Sequence, residues 1–244
     1  MKRLSILLDD IAMIRNVIGL SEPDPVQVAV LAEAAGVQGL ACTFRGGTNT
    51  GITERDLKLL KDIRKSFLNL YIPAQDEPIH QAMSLSPDMV TFIHEGTGQK
   101  GRIQPVSPEN ELERVEQMLP DFRANRISVA IRIEPEINLM KSLSRMPIDY
   151  VELDVSTFTA AADINEEIVA LDHIKSSAMA AAKLGFGVNC GGGIRYEHIP
   201  QLGRIPQLED VILGRQFLQR AFLVGVDRAV NEALQLLRQH KLEV

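Results

Sequence analysis

Short, unbroken apolar runs alternate with helical patterns along this chain, and no other feature narrows its fold as far. The runs are Leu4–Asp9, Gly39–Thr43, Leu68–Ile72, Met89–Ile93, Ser128–Ile133, Tyr150–Asp154, Gly187–Cys190 and Asp210–Leu213. They are continuous rather than alternating, the pattern of parallel strands buried on both faces. Helices are predicted over Asp24–Ala35, Thr53–Ser66, Asn110–Asn125, Glu136–Ser144, Asn165–Leu184 and Arg215–Gln239. Pro25 suits the first helical position and Gly36 the position after the end. Thr53 suits an N-cap with Asp56 as a weaker capping-box acid, and Gly185 stops the long Ala-rich helix.

Eight strand–helix repeats in one series point to a closed parallel barrel, an α/β (β/α)8 TIM barrel. An open doubly wound sheet would carry a Gly-rich turn after its first strand, whereas here that turn is Asp9-Asp10-Ile11. An extra short N-terminal helix is expected over Ile11–Ile18, and an extended loop over Glu95–Glu109 that serves either as a lid or as plain surface. The 244 residues suit one barrel, and no linker or low-complexity segment interrupts them, so a single domain over 1–244 is expected.

A hydrophobic content of 45% is ample for one large core. The net charge of −6 argues against nucleic acid as a partner. No apolar run approaches the roughly 18 residues that span a membrane. The N-terminus starts like a signal peptide but reaches Asp9 and Asp10 too soon. Cys42 and Cys190 fall inside apolar strands and lack metal spacing, so both are expected reduced and buried in a cytoplasmic protein.

Barrel chemistry sits at the C-terminal ends of the strands. Gly191-Gly192-Gly193 and Gly214-Arg215 put bare backbone there, just before helices, where main-chain N–H groups can hold an anion. Arg45, Arg132 and Arg215 recur around the rim, with Arg15 and Arg195 as further candidates, and arginine suits phosphate. Arg132 could instead pair with an acid in the barrel mouth. The predicted ligand site is Arg45, Asn189, Gly191, Gly192, Gly193, Gly214 and Arg215, for a phosphorylated small molecule. Histidine is scarce, and His94 alone lies at a strand end. The acid–base candidates are therefore carboxylates: Asp9, Glu95, Glu152 and Asp154. Glu152 and Asp154 share one side of a strand. They either repel, which splits their pKa values, or plug the barrel as a salt bridge with an arginine. Oxygen ligands at Asp9, Asp10, Glu152 and Asp154 suggest a metal site, but arginines crowd the same rim, so no metal and no cofactor are assigned.

Taken together, Asp9-Asp10-Ile11-Ala12-Met13-Ile14-Arg15-Asn16, Pro23-Asp24-Pro25-Val26-Gln27, Phe44-Arg45, Ile52-Thr53-Glu54-Arg55-Asp56-Leu57, Asn189-Cys190-Gly191-Gly192-Gly193 and the ending from Ile205-Pro206 through Ala229-Val230 resemble the pyridoxine 5′-phosphate synthases. The resemblance implies a (β/α)8 transferase of vitamin B6 biosynthesis. Such an enzyme condenses 1-deoxyxylulose 5-phosphate with 3-amino-2-oxopropyl phosphate and closes the pyridine ring. It also implies a homo-oligomer, with the extra helix in subunit packing.

The family's acid–base positions differ. Asp10, Thr43, Asp154, Gly192 and Arg215 stand where the family motifs carry histidine, Leu7 where they carry asparagine, and Tyr71 where they carry a third-strand glutamate. Asp9, Arg45, Glu95, Glu152, Asn189, Gly191, Gly193 and Gly214 match. Three readings stay open: the family reaction itself, redirected chemistry on another phosphorylated metabolite, or a non-catalytic ligand-binding or partner subunit.

Overall fold

The computed structural model describes residues 2–46, 51–94, 103–107 and 111–238. Eight parallel strands close into a barrel in the order of the chain: β1 (Arg3–Leu7), β2 (Gly39–Thr43), β3 (Phe67–Pro73), β4 (Met89–Ile93), β5 (Ser128–Ile133), β6 (Tyr150–Asp154), β7 (Gly187–Gly191) and β8 (Leu208–Leu213). Closure is made by β1 on β8, with Arg3 opposite Asp210 and Ile6 opposite Leu213. One register shift falls between Val188 and Asn189. The fold is a (β/α)8 TIM barrel.

The helices are α1 (Asp9–Ile18), α2 (Pro25–Ala34), α3 (Glu54–Ile63), α4 (Asp76–Leu85), α5 (Leu112–Ala124), α6 (Ile137–Leu143), α7 (Ser156–Thr159), α8 (Ile164–Lys183), α9 (Ile199–Gly203), α10 (Arg215–Val224) and α11 (Val226–Arg238). Local chemistry sets their starts. Asp24 accepts the Val26 N–H at 2.8 Å ahead of Pro25, and Thr53 and Asp56 form a reciprocal capping box at α3. None of the described helices is long and apolar enough to cross a membrane.

Strand alternation explains the continuous apolar runs. One set of side chains, including Ile6, Leu40, Leu70, Phe92, Ile131, Leu153, Cys190 and Leu213, forms the large core under the helices. The alternate set fills the lumen and is mixed: Ala41, Tyr71, Ile93 and Ile212 pack with Ile103, beside buried Asn69, Thr91, Arg132, Glu152, Asn189 and Asp210. Both cysteines are free and buried.

Several limits shift by one to three residues, and three differences change the layout. The first strand stops at Leu7, and Asp9 already opens α1, so the extra helix begins two residues early. The helix expected over Arg215–Gln239 is two helices, because Gly225 at φ +84° ends α10 and turns the chain into α11. Helix α4 completes the third repeat, for which the sequence pattern predicts no helix. Of the loop expected over Glu95–Glu109, only 103–107 are among the described residues.

Candidate functional site

The floor of the barrel mouth is an ion cluster around Arg132. Its Nη2 donates to Asp154 Oδ2 at 2.8 Å, its Nε to the same oxygen at 3.1 Å, and its Nη1 to Glu152 Oε1. Nη2 also reaches the Gly191 carbonyl at 3.1 Å, and the Tyr71 hydroxyl donates to Glu152 Oε2 at 2.7 Å. Strand register makes this cluster: Arg132 lies opposite Glu152, and Asp154 opposite Gly191. All four side chains are buried. Burial opposes the Arg132 charge, but Asp154 and Glu152 outweigh it and hold the guanidinium protonated. Burial likewise pushes the Glu152 carboxyl up, against Arg132 and Tyr71. At Asp154 burial pulls the same way, but Arg132 and the Ser156 hydroxyl and N–H prevail, so its carboxyl sits below the usual range. Of the two sequence alternatives for these acids, the arginine-bridged plug is the arrangement found. Their pKa values do diverge, through burial and Arg132 rather than mutual repulsion.

Over this floor lies a cavity of about 380 Å³. The tip of β7 (Gly191 to Ile194) and the tip of β8 (Gly214 to Gln216) both line it, with Asp10, Tyr71 and Asp154. The glycines are set by this packing. Gly192 has φ +123°, and a Cβ there would lie 2.8 Å from Asp154 Oδ1 and 3.1 Å from the Ser156 nitrogen. Gly193 has φ +65°, and a Cβ there would lie 2.7 Å from Thr159 Oγ1. Thr159 also donates to the Gly192 carbonyl at 2.9 Å, which holds the turn. At the β8 tip, Gly214 is the N-cap of α10 and supplies no side-chain cap. The first N–H groups of that helix have no acceptor within the helix.

A second acidic pair stands at the start of α1. Asp9 Oδ1 accepts the Thr43 N–H at 2.7 Å, and Oδ2 accepts the Thr43 hydroxyl. Burial raises the Asp9 carboxyl to about 6, opposed by Thr43 and by the nearby Arg45 charge and aided by Asp10. Asp10 Oδ1 accepts from Arg215 Nη2 at 3.2 Å and from its Nε at 3.3 Å.

The cavity brings together Gly191, Gly192, Gly193, Gly214, Arg215 and Asp154. Glu152 lies beneath it, fully buried, and Asn189 lies a layer lower in the lumen, with its Nδ2 3.6 Å from Met89 Sδ. Glu95 lies outside the described residues, as do 47–50 of the loop after Arg45. Arg15 is not a rim residue: it is buried and grips Asp56 with two bonds of 2.7 and 2.8 Å, tying α1 to α3. Arg195 does line the cavity, paired with Glu197 at 2.9 Å. His94 holds Glu111 at 2.9 Å and is not among the cavity residues. Among the described residues no three His, Cys, Asp or Glu side chains gather as metal ligands, because the mouth acids are divided between Thr43, Arg215 and Arg132. Thr159 and Ser156 were not legible as site residues; their neighbourhood to Gly192 and Gly193 follows from the turn after β6.

The family model described as pyridoxal phosphate biosynthesis protein PdxJ matches residues 4–239. The chain belongs to the PdxJ family. It is 32% identical over 238 residues to the pyridoxine 5′-phosphate synthase of Geotalea uraniireducens, covering 98% of this chain and 99% of that one. Identity to the synthase of Syntrophobacter fumaroxidans is 35% over 240 residues, covering 97% and 99%. Among solved structures, phosphoribosyl anthranilate isomerase from Thermococcus kodakaraensis superimposes with a TM-score of 0.62 at 9% identity, covering 98% of this chain and 100% of that one. The 3-hexulose-6-phosphate synthase from Salmonella typhimurium gives 0.61 at 12%, covering 98% and 99%. At such identities these two show the barrel fold alone.

Residues that the sequence reading set apart from the family motifs meet in space. Asp10 and Arg215 bind each other. Thr43 and Tyr71 each donate a hydroxyl to a carboxylate, Asp9 and Glu152. Asp154 and Gly192 form one contact, since a Cβ at 192 would lie 2.8 Å from Asp154 Oδ1.

Proposed function

We propose that this PdxJ-family barrel binds a small phosphorylated metabolite, with the phosphate on main-chain N–H groups after β7 and β8 and on Arg215. The observation that carries this reading is one cavity bordered by both strand tips, Gly191 to Ile194 and Gly214 to Gln216. Glycine backbone and an uncapped helix start are suited to a phosphate. Proton transfer is assigned to Asp9, which does not line the cavity itself but adjoins Asp10, which does. Burial raises its carboxyl to about 6, a value suited to proton exchange near neutral pH without a histidine. Arg45, the positive charge near Asp9, is assigned to orienting the substrate from outside the cavity lining. Glu152 and Asp154 hold the floor through Arg132 rather than move protons.

Self-association belongs to the same reading. Val17 and Ile18 at the end of α1, Leu20 just after it, and Phe222 and Leu223 at the end of α10 are exposed large apolar residues, and the two helices pack together.

A second reading, pyridoxine 5′-phosphate formation itself, is favoured by identity of 32% and 35% along nearly the whole chain to proteins so named. A thermal-shift screen of phosphorylated C3–C6 metabolites tests the first reading, with Arg215→Ala and Gly193→Asp as controls. Equal stabilisation of all three proteins would refute the assigned phosphate site. Incubation with the two synthase substrates tests the second, and no product above background would end it.

A further inference from the structure

Arg215 breaks a local rule. It is the first residue of α10, where the helix dipole is positive, and that helix has no acid in its first turn. A cation there is unfavourable. Its offsetting charge comes from 205 residues away, from Asp10 in the first turn of α1. The Asp10 carboxylate touches Arg215 through Oδ1 alone, while Oδ2 lies 3.9 Å from where a Gly214 Cβ would stand. A side-chain anion therefore sits over the N-cap of the very helix assigned to the phosphate.

Of the other arginines of the cavity, Arg132 is buried between Glu152 and Asp154, and Arg195 makes an exposed pair with Glu197. Arg215 has 60% of its side chain exposed, so it can turn from one partner to another without unpacking the core.

We propose that Asp10 is a resident counter-ion: it holds Arg215 over the α10 N-terminus in the free protein, and an incoming phosphate must take Arg215 from it. Asp10 thereby sets how strongly the cavity prefers anions, and it is a specificity-determining residue that acts through Arg215. The inference rests on the phosphate reading above.

Calorimetric titration with inorganic phosphate and with glycerol 3-phosphate tests it, on the parent protein, Asp10→Asn, Arg215→Gln and the double variant. Exposed ion pairs are weak, so Asp10→Asn should lower Kd by roughly two- to fivefold. The gain should vanish in the Arg215→Gln background, and loss of binding in both Arg215→Gln proteins agrees equally, since it makes Arg215 the contested group. No gain in Asp10→Asn, or the same gain with and without Arg215, would overturn the counter-ion role while leaving the phosphate site standing. Failure of every protein to bind either anion would overturn the phosphate reading too. Asp10→Ser is the second variant, and cooperative thermal unfolding verifies that each protein is folded.

Discussion

Thr43 donates both its main-chain N–H, at 2.7 Å, and its hydroxyl to the carboxylate of Asp9, joining the tip of β2 to the first residue of α1. These bonds favour the charged acid, yet burial prevails and the carboxyl rises to about 6. A carbon-13 NMR titration of aspartate carboxyls should show an inflection near pH 6 that Asp9→Asn removes. Thr43→Val takes away a bond to the charged form and should move that inflection upward.

The same shift has a stability consequence. The unfolded value is near 3.8, so between pH 3.8 and about 6 the unfolded chain ionises Asp9 first. Stability contributed by this group is therefore full below 3.8 and falls as pH rises to about 6. The Tm of Asp9→Asn relative to the parent should climb from about pH 4 to about 6 and then level. A flat difference across that window would refute the raised carboxyl.

Arg132 holds two buried acids at once. Arg132→Leu leaves Glu152 and Asp154 facing each other without a cation, and stranding a buried charge costs about 3–5 kcal/mol. Urea denaturation should show a loss of that size. Tyr71→Phe, which removes one donor to Glu152, should cost about 1–3 kcal/mol.

Gly193 combines a left-handed backbone with a crowded neighbour. Gly193→Ala should cost about 1–2 kcal/mol for the backbone alone, plus the clash with Thr159. Adding Thr159→Ala should recover the clash and not the backbone term. Full recovery in thermal unfolding would mean that φ +65° is not the constraint.

Arg15 ties α1 to Asp56, and the neighbouring Asn16 Nδ2 donates to the Gly51 carbonyl at 2.8 Å. Arg15→Met leaves buried Asp56 with only the longer 3.5 Å pair to Arg55 and should destabilise by up to about 3 kcal/mol. Hydrogen exchange should speed up over residues 9–18 and 51–56, and not over β5.

The strands were legible because a parallel barrel buries both faces of each one, so every strand reads as an unbroken apolar run. The cap at Thr53 was legible because its bond closes within three residues. Helix α4 was harder to read: its first turn holds Asp76, Glu77 and Pro78, and its start at Gln75 has no side-chain cap. The glycine tips could be placed at the strand ends from their position in the sequence. That Gly192 must be bare because of Asp154, and Gly193 because of Thr159, could not.

Residue order alone was enough for the barrel, most of its strand limits, its glycine tips and the family, since each rests on local periodicity or on contiguous motifs. Which charges meet was settled in the folded molecule. Arg132 took both mouth acids, Arg15 left the rim for Asp56, and Arg215 found Asp10 at the far end of the chain. Barrel closure brings β8 beside β1, and the partner of a charge is chosen by that three-dimensional neighbourhood and not by distance along the chain.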